Sequence, residues 1–151
     1  MNAGNNMQLT RELFQILKQF SSLKWEQNSG QELKRSECEL LAILYMNLGV
    51  DTEAITASEL SSQLQITPAG VTHLINPLEE AGYIMRLQDP NDRRLVLIGL
   101  TEKGNEFAGT LIAEAHKRLV GLVEYMGEED SRTLIRLMSS TIAFLETPSA
   151  S

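Results

Sequence analysis

The sequence contains one cysteine, Cys38, and no long apolar run. A single cysteine excludes an internal disulfide framework and suits a reducing cytoplasm. A membrane-spanning helix needs about 18 or more consecutive apolar residues, and no window of the 151 residues contains such a run. The polar first ten residues lack the basic and apolar regions of a signal peptide. These absences predict a soluble, cytoplasmic protein of one domain, or of one domain with a dimerising extension.

The chain also lacks the residue patterns of common catalytic sites. It contains two histidines and no HExxH, GxSxG, P-loop or GxGxxG pattern. No metal-ligand spacing joins His73 or His116 to Cys38. Catalysis would depend on carboxylates alone, and nothing indicates a pair of them. We therefore expect no enzymatic activity, no metal site and no cofactor.

Positive charge is scarce, and the net charge is -7. Residues 1–59 and 104–151 each carry -3, whereas residues 60–103 carry -1, and residues 60–78 contain no charged side chain. The local field matters more than net charge when a protein docks on a polyanion. The charge balance therefore weakens a nucleic-acid-binding interpretation without excluding it.

Apolar spacing at helical intervals predicts four long helices, over residues 8–27, 36–48, 101–126 and 128–146. In the second of these, Ser36 is the expected N-cap, with Glu39 completing a capping box and Gly49 ending the helix. The acidic residues after Gly127 suit the N-terminus of the last helix, because they complement its dipole.

Two shorter helices are predicted between the second and third long ones. Thr56 and Glu59 form a capping box for a helix that ends near Leu64. Thr67 is the expected N-cap of the next helix, with Pro68 at its first position. Four apolar residues then follow at the spacing of a buried stripe: Val71, Leu74, Ile75 and Leu78. The tight connection between the two helices predicts a helix-turn-helix.

Residues 83–88 and 94–100 read as strands around the turn-forming sequence DPNDR. The order helix, helix, helix, hairpin predicts a winged helix, a mainly α fold with a small β-hairpin wing. The wing tip carries Arg93 and Arg94, and Asp92 is placed to hold the Arg94 side chain. A planar guanidinium on a protruding loop suits the narrow minor groove of DNA. An ordinary solvated turn would account for the sequence DPND, but it would not account for the two arginines that follow.

The residues outside the apolar stripe of the second short helix could read DNA. Asn76 can pair with adenine through two hydrogen bonds, Thr72 can contact a phosphate, a base edge or a thymine methyl, and His73 can donate to guanine or to a phosphate. Small polar side chains that merely solvate an exposed helix face would give the same pattern.

The sequence VTHLINPLEEAGYIMRLQDPNDRRLVLIGLTEKG, residues 71–104, resembles the MarR family of bacterial transcriptional regulators. The wing motif Asp-Pro-x-Asp-Arg-Arg and the flanking GYI and LTEKG carry this resemblance, and the helix order agrees from residue 8 to about 145. The resemblance implies that residues 36–100 form the winged helix-turn-helix DNA-binding domain, and that residues 1–35 and 101–151 form a helical dimerisation region. It further implies a homodimeric repressor on pseudo-palindromic double-stranded DNA, released by a small ligand or by oxidation.

Carried over residue by residue, the resemblance places five residues on the major-groove face: Thr67, Ala69, Thr72, His73 and Asn76. It places Asp92, Arg93 and Arg94 at the wing, with Arg94 in the minor groove. The chain has His73 and Pro77 where many relatives have arginine. Two phosphate-contacting charges are thereby lost, and Pro77 is expected to kink or loosen the helix.

The crevice that binds ligands in the family would be lined here by Trp25, Tyr45, Met46 and His116, although such residues at helical spacing are more often ordinary core. Cys38 is expected to be structural. The peroxide-sensing branch of the family has its reactive cysteine in the first helix, and the acidic neighbours Glu37 and Glu39 oppose a thiolate.

One further alternative stays open from the sequence. A winged-helix module that has lost DNA binding and contacts a protein partner would fit the acidic balance and Pro77, whereas Arg93 and Arg94 argue against it.

Overall fold

The computed structural model describes residues 3–22, 33–48 and 53–148. These residues form six helices and three strands: α1 (Ala3–Ser22), α2 (Arg35–Asn47), β1 (Ile55–Thr56), α3 (Ala57–Leu64), α4 (Pro68–Glu80), β2 (Ile84–Gln88), β3 (Val96–Leu100), α5 (Glu102–Met126) and α6 (Glu128–Glu146). The chain divides into two compact units, with the boundary between Arg35 and Ser36.

Helix α1 belongs to the first unit. The helix predicted for residues 8–27 is confirmed as far as Ser22, and residues 23–27 lie outside the described ranges. The large apolar side chains of α1 are all 49% to 67% exposed: Met7, Leu9, Leu13, Phe14, Ile16, Leu17 and Phe20. Among the described residues, α1 therefore presents an exposed apolar surface.

The core of the second unit lies between the helices and the sheet. Helix α3 packs on α4 and on strands β1 and β3, α4 packs on β2, and α5 packs on β3. Ten apolar side chains at this core are at most 2% exposed: Leu40, Leu41, Leu44, Leu60, Val71, Ile75, Leu78, Ile84, Ile98 and Ala108. Three residues of the stripe predicted on α4 are among them, and the fourth, Leu74, is half-buried.

The sheet is antiparallel, with strand order β1-β3-β2. In the hairpin Ile84 pairs with Leu100 and Gln88 pairs with Val96, and on the other side of β3 Ile55 pairs with Ile98. The fold class predicted from the sequence is confirmed. The sheet nevertheless has a third strand that we did not predict, because a two-residue strand is too short to show alternation.

Helix α5 begins after its N-cap Thr101 and ends before Gly127, whose φ is 80°. Only its first turns are buried in this chain, at Gly104 and Ala108. Apolar side chains of later α5 and of α6 are exposed, and the most exposed are Tyr125, Phe144 and Leu145. No helix within the described ranges is both long and apolar enough to span a membrane.

The start of α2 differs from the prediction. The helix already includes Arg35, so Ser36 lies in the first turn. The observed start lies one residue before the predicted one, and the capping box of Ser36 and Glu39 stays a prediction. Gly49 lies outside the described residues.

Candidate nucleic-acid interface

The turn between α3 and α4 sets the direction of α4. Helix α3 ends at Leu64, and its C-cap Gln65 has a left-handed φ of 55°. The Ile66 N–H donates to Ser61 O over 3.2 Å, and the Ser61 hydroxyl donates to Ile66 O over 2.6 Å. These two bonds close the turn, so α4 leaves α3 at a defined angle. At its other end, α3 has the predicted capping box of Thr56 and Glu59.

The start of α4 is capped as predicted. Thr67 is the N-cap, its hydroxyl oxygen accepts the Gly70 N–H over 3.0 Å, and Pro68 occupies the first turn. The cap uses Thr67 as an acceptor and leaves its hydroxyl proton for another group. Positive charge from the helix dipole at this end favours an anion such as a phosphate.

Four of the predicted major-groove residues form the exposed surface of α4: Ala69, Thr72, His73 and Asn76. They lie away from the buried stripe because successive helix residues are about 100° apart. The Thr72 hydroxyl donates back to Pro68 O over 3.2 Å, which leaves its lone pairs and its methyl group outward. This surface has no lysine, arginine, aspartate or glutamate between Pro68 and Leu78.

Pro77 does not interrupt α4, which runs from Pro68 to Glu80. Helical bonding also resumes after it, since the Ala81 N–H donates to Pro77 O over 2.9 Å. Proline has no backbone N–H, so the carbonyl of His73, four residues before Pro77, loses its usual helical donor. Helix α4 thus continues past Pro77, and the expected kinking or loosening at Pro77 stays a prediction.

The loop from 89 to 95, which we call the wing tip, is built by two aspartates. The Asp89 carboxylate accepts the N–H of Asn91 over 2.7 Å and that of Asp92 over 3.2 Å. Asp92 in turn accepts the Arg94 N–H over 3.0 Å, and its own carbonyl accepts the N–H of Leu95. The turn chemistry of DPND thus holds the loop and projects the following arginines.

Arg94 is held by Asp92, as the sequence predicted. Its Nε donates to Asp92 Oδ1 over 3.1 Å and its Nη2 donates to Oδ2 over 3.3 Å. The Arg94 side chain is nevertheless 90% exposed. Hydrogen bonds from the Arg94 side chain and backbone lower the pKa of Asp92. The guanidinium is therefore oriented while it stays open to a ligand.

The two remaining arginines of this region differ from each other. Among the described residues, the exposed Arg93 side chain has no hydrogen bond or ion pair. Arg86 on β2 is bonded to α4, where it contacts Asn76 and forms an ion pair of 3.0 Å with Glu79. We did not single out Arg86 from the sequence. Strand alternation was the available signal, because it places Arg86 on the same face as the buried Ile84.

The joint between the wing and α5 explains the sequence LTEKG. The Thr101 hydroxyl donates to Gly82 O over 2.6 Å and accepts the Gly104 N–H over 3.1 Å. A Cβ at Gly104 would lie 1.9 Å from Tyr83 O, so only glycine allows this approach. Gly82, with φ of 81°, makes the turn from α4 into β2.

Lys103 attaches α5 to the end of α4. Its Nζ donates to Ala81 O over 2.8 Å and lies 4.3 Å from the centre of the Tyr83 ring. Tyr83 also meets Phe107 edge to face, with ring centres 5.3 Å apart. Because Lys103 is engaged here, the wing-tip arginines are the cations that the region offers to a polyanion.

The predicted ligand-binding residues are not brought together by any described contact. Tyr45 is half-buried, with its ring 3.3 Å from the position a Cβ would take at Gly109. Met46 is 68% exposed, and His116 is exposed as well. Trp25 lies outside the described residues. No group of three or more potential metal-binding side chains occurs within the described ranges.

Cys38 is buried, at 5% exposure. Burial is the main cause that raises the pKa of its thiol, and the neighbouring carboxylates Glu37 and Glu39 raise it further. A protonated, inaccessible thiol reacts slowly. The structure therefore agrees with a structural role for Cys38.

Fold and site together define a winged helix-turn-helix protein with an arginine-bearing wing. Residues 33–96 match the MarR family. The match covers the helix-turn-helix and most of the wing, so the chain is similar to this family over that region, and a listed relative is named an HTH-type transcriptional regulator.

Individual proteins show the same likeness. The chain is 28% identical over 117 residues to the uncharacterized HTH-type transcriptional regulator YdgJ of Bacillus subtilis (strain 168), a match that covers 78% of this chain and 67% of YdgJ. It is 36% identical over 69 residues to the transcriptional repressor MprA of Escherichia coli (strain K12), covering 46% of this chain and 39% of MprA. The crystal structure of Streptococcus pneumoniae FabT in complex with DNA has the same fold, with a TM-score of 0.69, 23% identity, and coverage of 96% of this chain and 98% of FabT.

Proposed function

We propose that this protein is a homodimeric, cytoplasmic repressor that binds a pseudo-palindromic operator in double-stranded DNA. Helix α4 of each protomer enters a major groove, and each wing tip enters the adjacent minor groove. Residues 36–100 bind DNA in this proposal, and residues 1–35 and 101–151 form the dimer. The observation that carries it is the wing tip, where Asp92 orients a 90%-exposed Arg94 beside the open Arg93.

The chemistry of α4 supports a major-groove role. The groove is about 12 Å wide and admits a helix. The exposed residues Ala69, Thr72 and His73 are small or planar, so the helix backbone can approach the bases closely. The Thr67 cap and the N-terminus of α4 provide a phosphate contact without a cationic side chain.

The wing tip supports a minor-groove role for a different reason. A guanidinium is attracted to the negative potential of a narrow minor groove. Arg94 is already oriented by Asp92, so less side-chain freedom is lost on binding than for an unrestrained arginine. Asp92 contributes by positioning Arg94, and Arg93 contributes charge.

A dimer accounts for the uncovered apolar surfaces of α1, α6 and the second half of α5. Large exposed apolar surfaces of this kind mark interaction sites. A two-fold axis would place two copies of α4 about one DNA turn apart, roughly 34 Å, which explains a pseudo-palindromic operator. FabT, which has this fold, was crystallised with DNA, and MprA is named a transcriptional repressor.

Release by a small ligand is the remaining part of the proposal. Tyr45 beside α5, with Trp25, Met46 and His116, would form the ligand site. Trp25 is the single tryptophan of the chain, so its emission should change when a compound that releases DNA is added. Tyr45→Ala should weaken that response while DNA binding persists, and an unchanged response would remove Tyr45 from the ligand site.

The test is binding to the intergenic DNA upstream of the protein's own gene, compared with random-sequence duplex. Arg94→Ala should weaken site-specific binding about tenfold or more. Arg132→Ala is the matched control, because Arg132 is also an exposed arginine paired with a carboxylate, on α6. The control should bind as the wild type does.

If the protein does not bind DNA, the alternative function is a winged-helix module that binds a protein partner. The net charge of -7 and the absence of charged residues over 60–78 are the observations that favour it. Absence of binding to the upstream DNA, with no better retention on random duplex than a non-binding control protein shows, would support that alternative.

A further inference from the structure

Arg86 lies at the edge of the core and faces α4. On β2, Ile84 is 2% exposed, and Arg86, two residues further along, is on the same face of the strand. Arg86 is paired in register with Ile98 of β3, so the sheet fixes the position of its backbone. Its side chain extends past the core to the last turns of α4.

The Arg86 guanidinium bonds two residues of α4 at once. Nη2 donates to Asn76 Oδ1, and Nη1 donates to Glu79 Oε1 over 3.0 Å. Asn76 and Glu79 are three residues apart, so both lie on the same side of the helix. The Arg86 and Glu79 side chains are 37% and 38% exposed, which places this pair beside the exposed surface of α4.

The chemistry of the contact decides which end of the Asn76 amide faces Arg86. A guanidinium has five N–H donors and no acceptor, so only the amide oxygen can face it. The amide NH2 group of Asn76 is then the end left for DNA. Pairing with adenine in two hydrogen bonds needs both the oxygen and the NH2 group, since adenine presents an acceptor at N7 and a donor at N6.

We propose that Arg86 is a specificity-determining positioning residue: it occupies one lone pair of the Asn76 oxygen and holds that oxygen towards β2, so that the NH2 group is the end that Asn76 presents to DNA. This inference rests on the proposed function. An Asn76 that presents its NH2 group favours guanine, whose major-groove edge has two acceptors, over adenine, which has one acceptor beside a donor. Glu79 neutralises Arg86, so Arg86 acts through Asn76 and not as a phosphate contact.

The experiment selects operator sequences from a pool of duplexes randomised over about 20 base pairs, a length that spans two half-sites. The proteins compared are full-length wild type, Arg86→Met, Asn76→Ala and the double variant. Wild type should prefer guanine at one position of each half-site, and Asn76→Ala should lose that preference. Arg86→Met frees the amide oxygen and should shift the preference to adenine, by about tenfold relative to wild type.

The double variant identifies the route of the effect. If Arg86 acts through Asn76, then Arg86→Met should change no base preference once Asn76 is alanine. Glu79→Gln is the matched control, because it removes the charge on the other partner and leaves the Arg86–Asn76 bond. Its base preference should equal that of wild type.

Folding of each variant is checked by its thermal melt. If Arg86→Met melts too low for binding measurements, Arg86→Lys replaces it. A single ammonium beside Glu79 lacks the fork that holds both partners, so the same shift should occur with a smaller size.

Three results would overturn the inference. The first is an Arg86→Met effect of equal size on every duplex, and the second is a shift that persists in the double variant. The third is a Glu79→Gln shift as large as that of Arg86→Met, because the role would then be general placement of α4. Failure of wild type to enrich any sequence would instead overturn the proposed function, and this inference with it.

Discussion

At the scale of single residues, the Asp92–Arg94 contact connects turn chemistry with the proposed DNA binding. The carboxylate accepts bonds from the backbone and the side chain of Arg94, and these bonds lower the pKa of Asp92. Because the folded pKa lies below the unfolded one, the contact stabilises the protein above the unfolded value and loses its effect as pH falls through the folded value. Arg94 is therefore oriented at neutral and mildly acidic pH.

An NMR titration of the side-chain carboxyl carbon of Asp92 tests this contact. In wild type the midpoint should lie below the ordinary aspartate value of about 3.9. In Arg94→Ala it should return towards that value, whereas Arg93→Ala should leave it low. A midpoint that is the same in wild type and Arg94→Ala would show that Asp92 does not hold Arg94 in solution.

Cys38 gives a second prediction for a single residue. Its buried thiol, with a pKa raised by burial and by Glu37 and Glu39, should react with a thiol reagent far more slowly in the native protein than in urea-unfolded protein. The rate at which the Cys38 thiol reacts, followed by absorbance, should rise only as the protein unfolds. Labelling at the rate of the unfolded chain under native conditions would contradict a structural role.

The wing residues could be predicted because their chemistry is local in sequence. Asp92 and Arg94 are two residues apart, so their pairing needs no knowledge of the rest of the fold. Arg86 was missed because its partners Asn76 and Glu79 are ten and seven residues away, on another element. Only the packing of β2 on α4 brings them together, and a single sequence does not show which residues of two elements meet in space.

At the scale of elements, the joint between the wing and α5 depends on Gly104. A Cβ there would lie 1.9 Å from the backbone oxygen of Tyr83, which a rotamer change cannot relieve. Gly104→Ala should therefore lower the free energy of unfolding by about 3 kcal/mol or more, measured by urea denaturation at fixed protein concentration.

Gly121 supplies the matched control on the same helix. No heavy atom lies within 4 Å of its Cβ position, so Gly121→Ala should be neutral or raise the free energy of unfolding by up to about 1 kcal/mol. Equal destabilisation by the two substitutions would mean that loss of glycine itself matters, and not the approach of α5 to Tyr83.

The helices and the hairpin could be predicted from periodicity and caps. Thr56, Thr67 and Thr101 each accept a bond from the N–H three residues later, a preference that is visible in sequence. Strand β1 could not be predicted, because its two residues acquire strand geometry only by pairing with β3. Pro77 lies inside α4, where burial of Ile75 and Leu78 offsets the one hydrogen bond that proline removes.

At the scale of the whole molecule, the exposed apolar side chains of α1, α5 and α6 support the proposed dimer. We predict that the chain sediments as a dimer, with twice the 16.8 kDa mass of one chain, at micromolar concentration. Burial of these surfaces in a two-fold interface would stabilise the dimer. Analytical ultracentrifugation checks this, and a monomer at that concentration would contradict the proposed dimer.

In the proposed function, the wing-tip arginines neutralise DNA phosphates although the protein as a whole is acidic. The most direct measurement is the slope of log binding constant against log salt concentration, for wild type, Arg94→Ala and Arg132→Ala on the same duplex. With four wing-tip arginines in a dimer, the wild-type slope should be roughly -3 to -4, and Arg94→Ala should be less steep by about two units. Arg132→Ala should keep the wild-type slope. A slope that Arg94→Ala leaves unchanged, or binding without salt dependence, would contradict the claim.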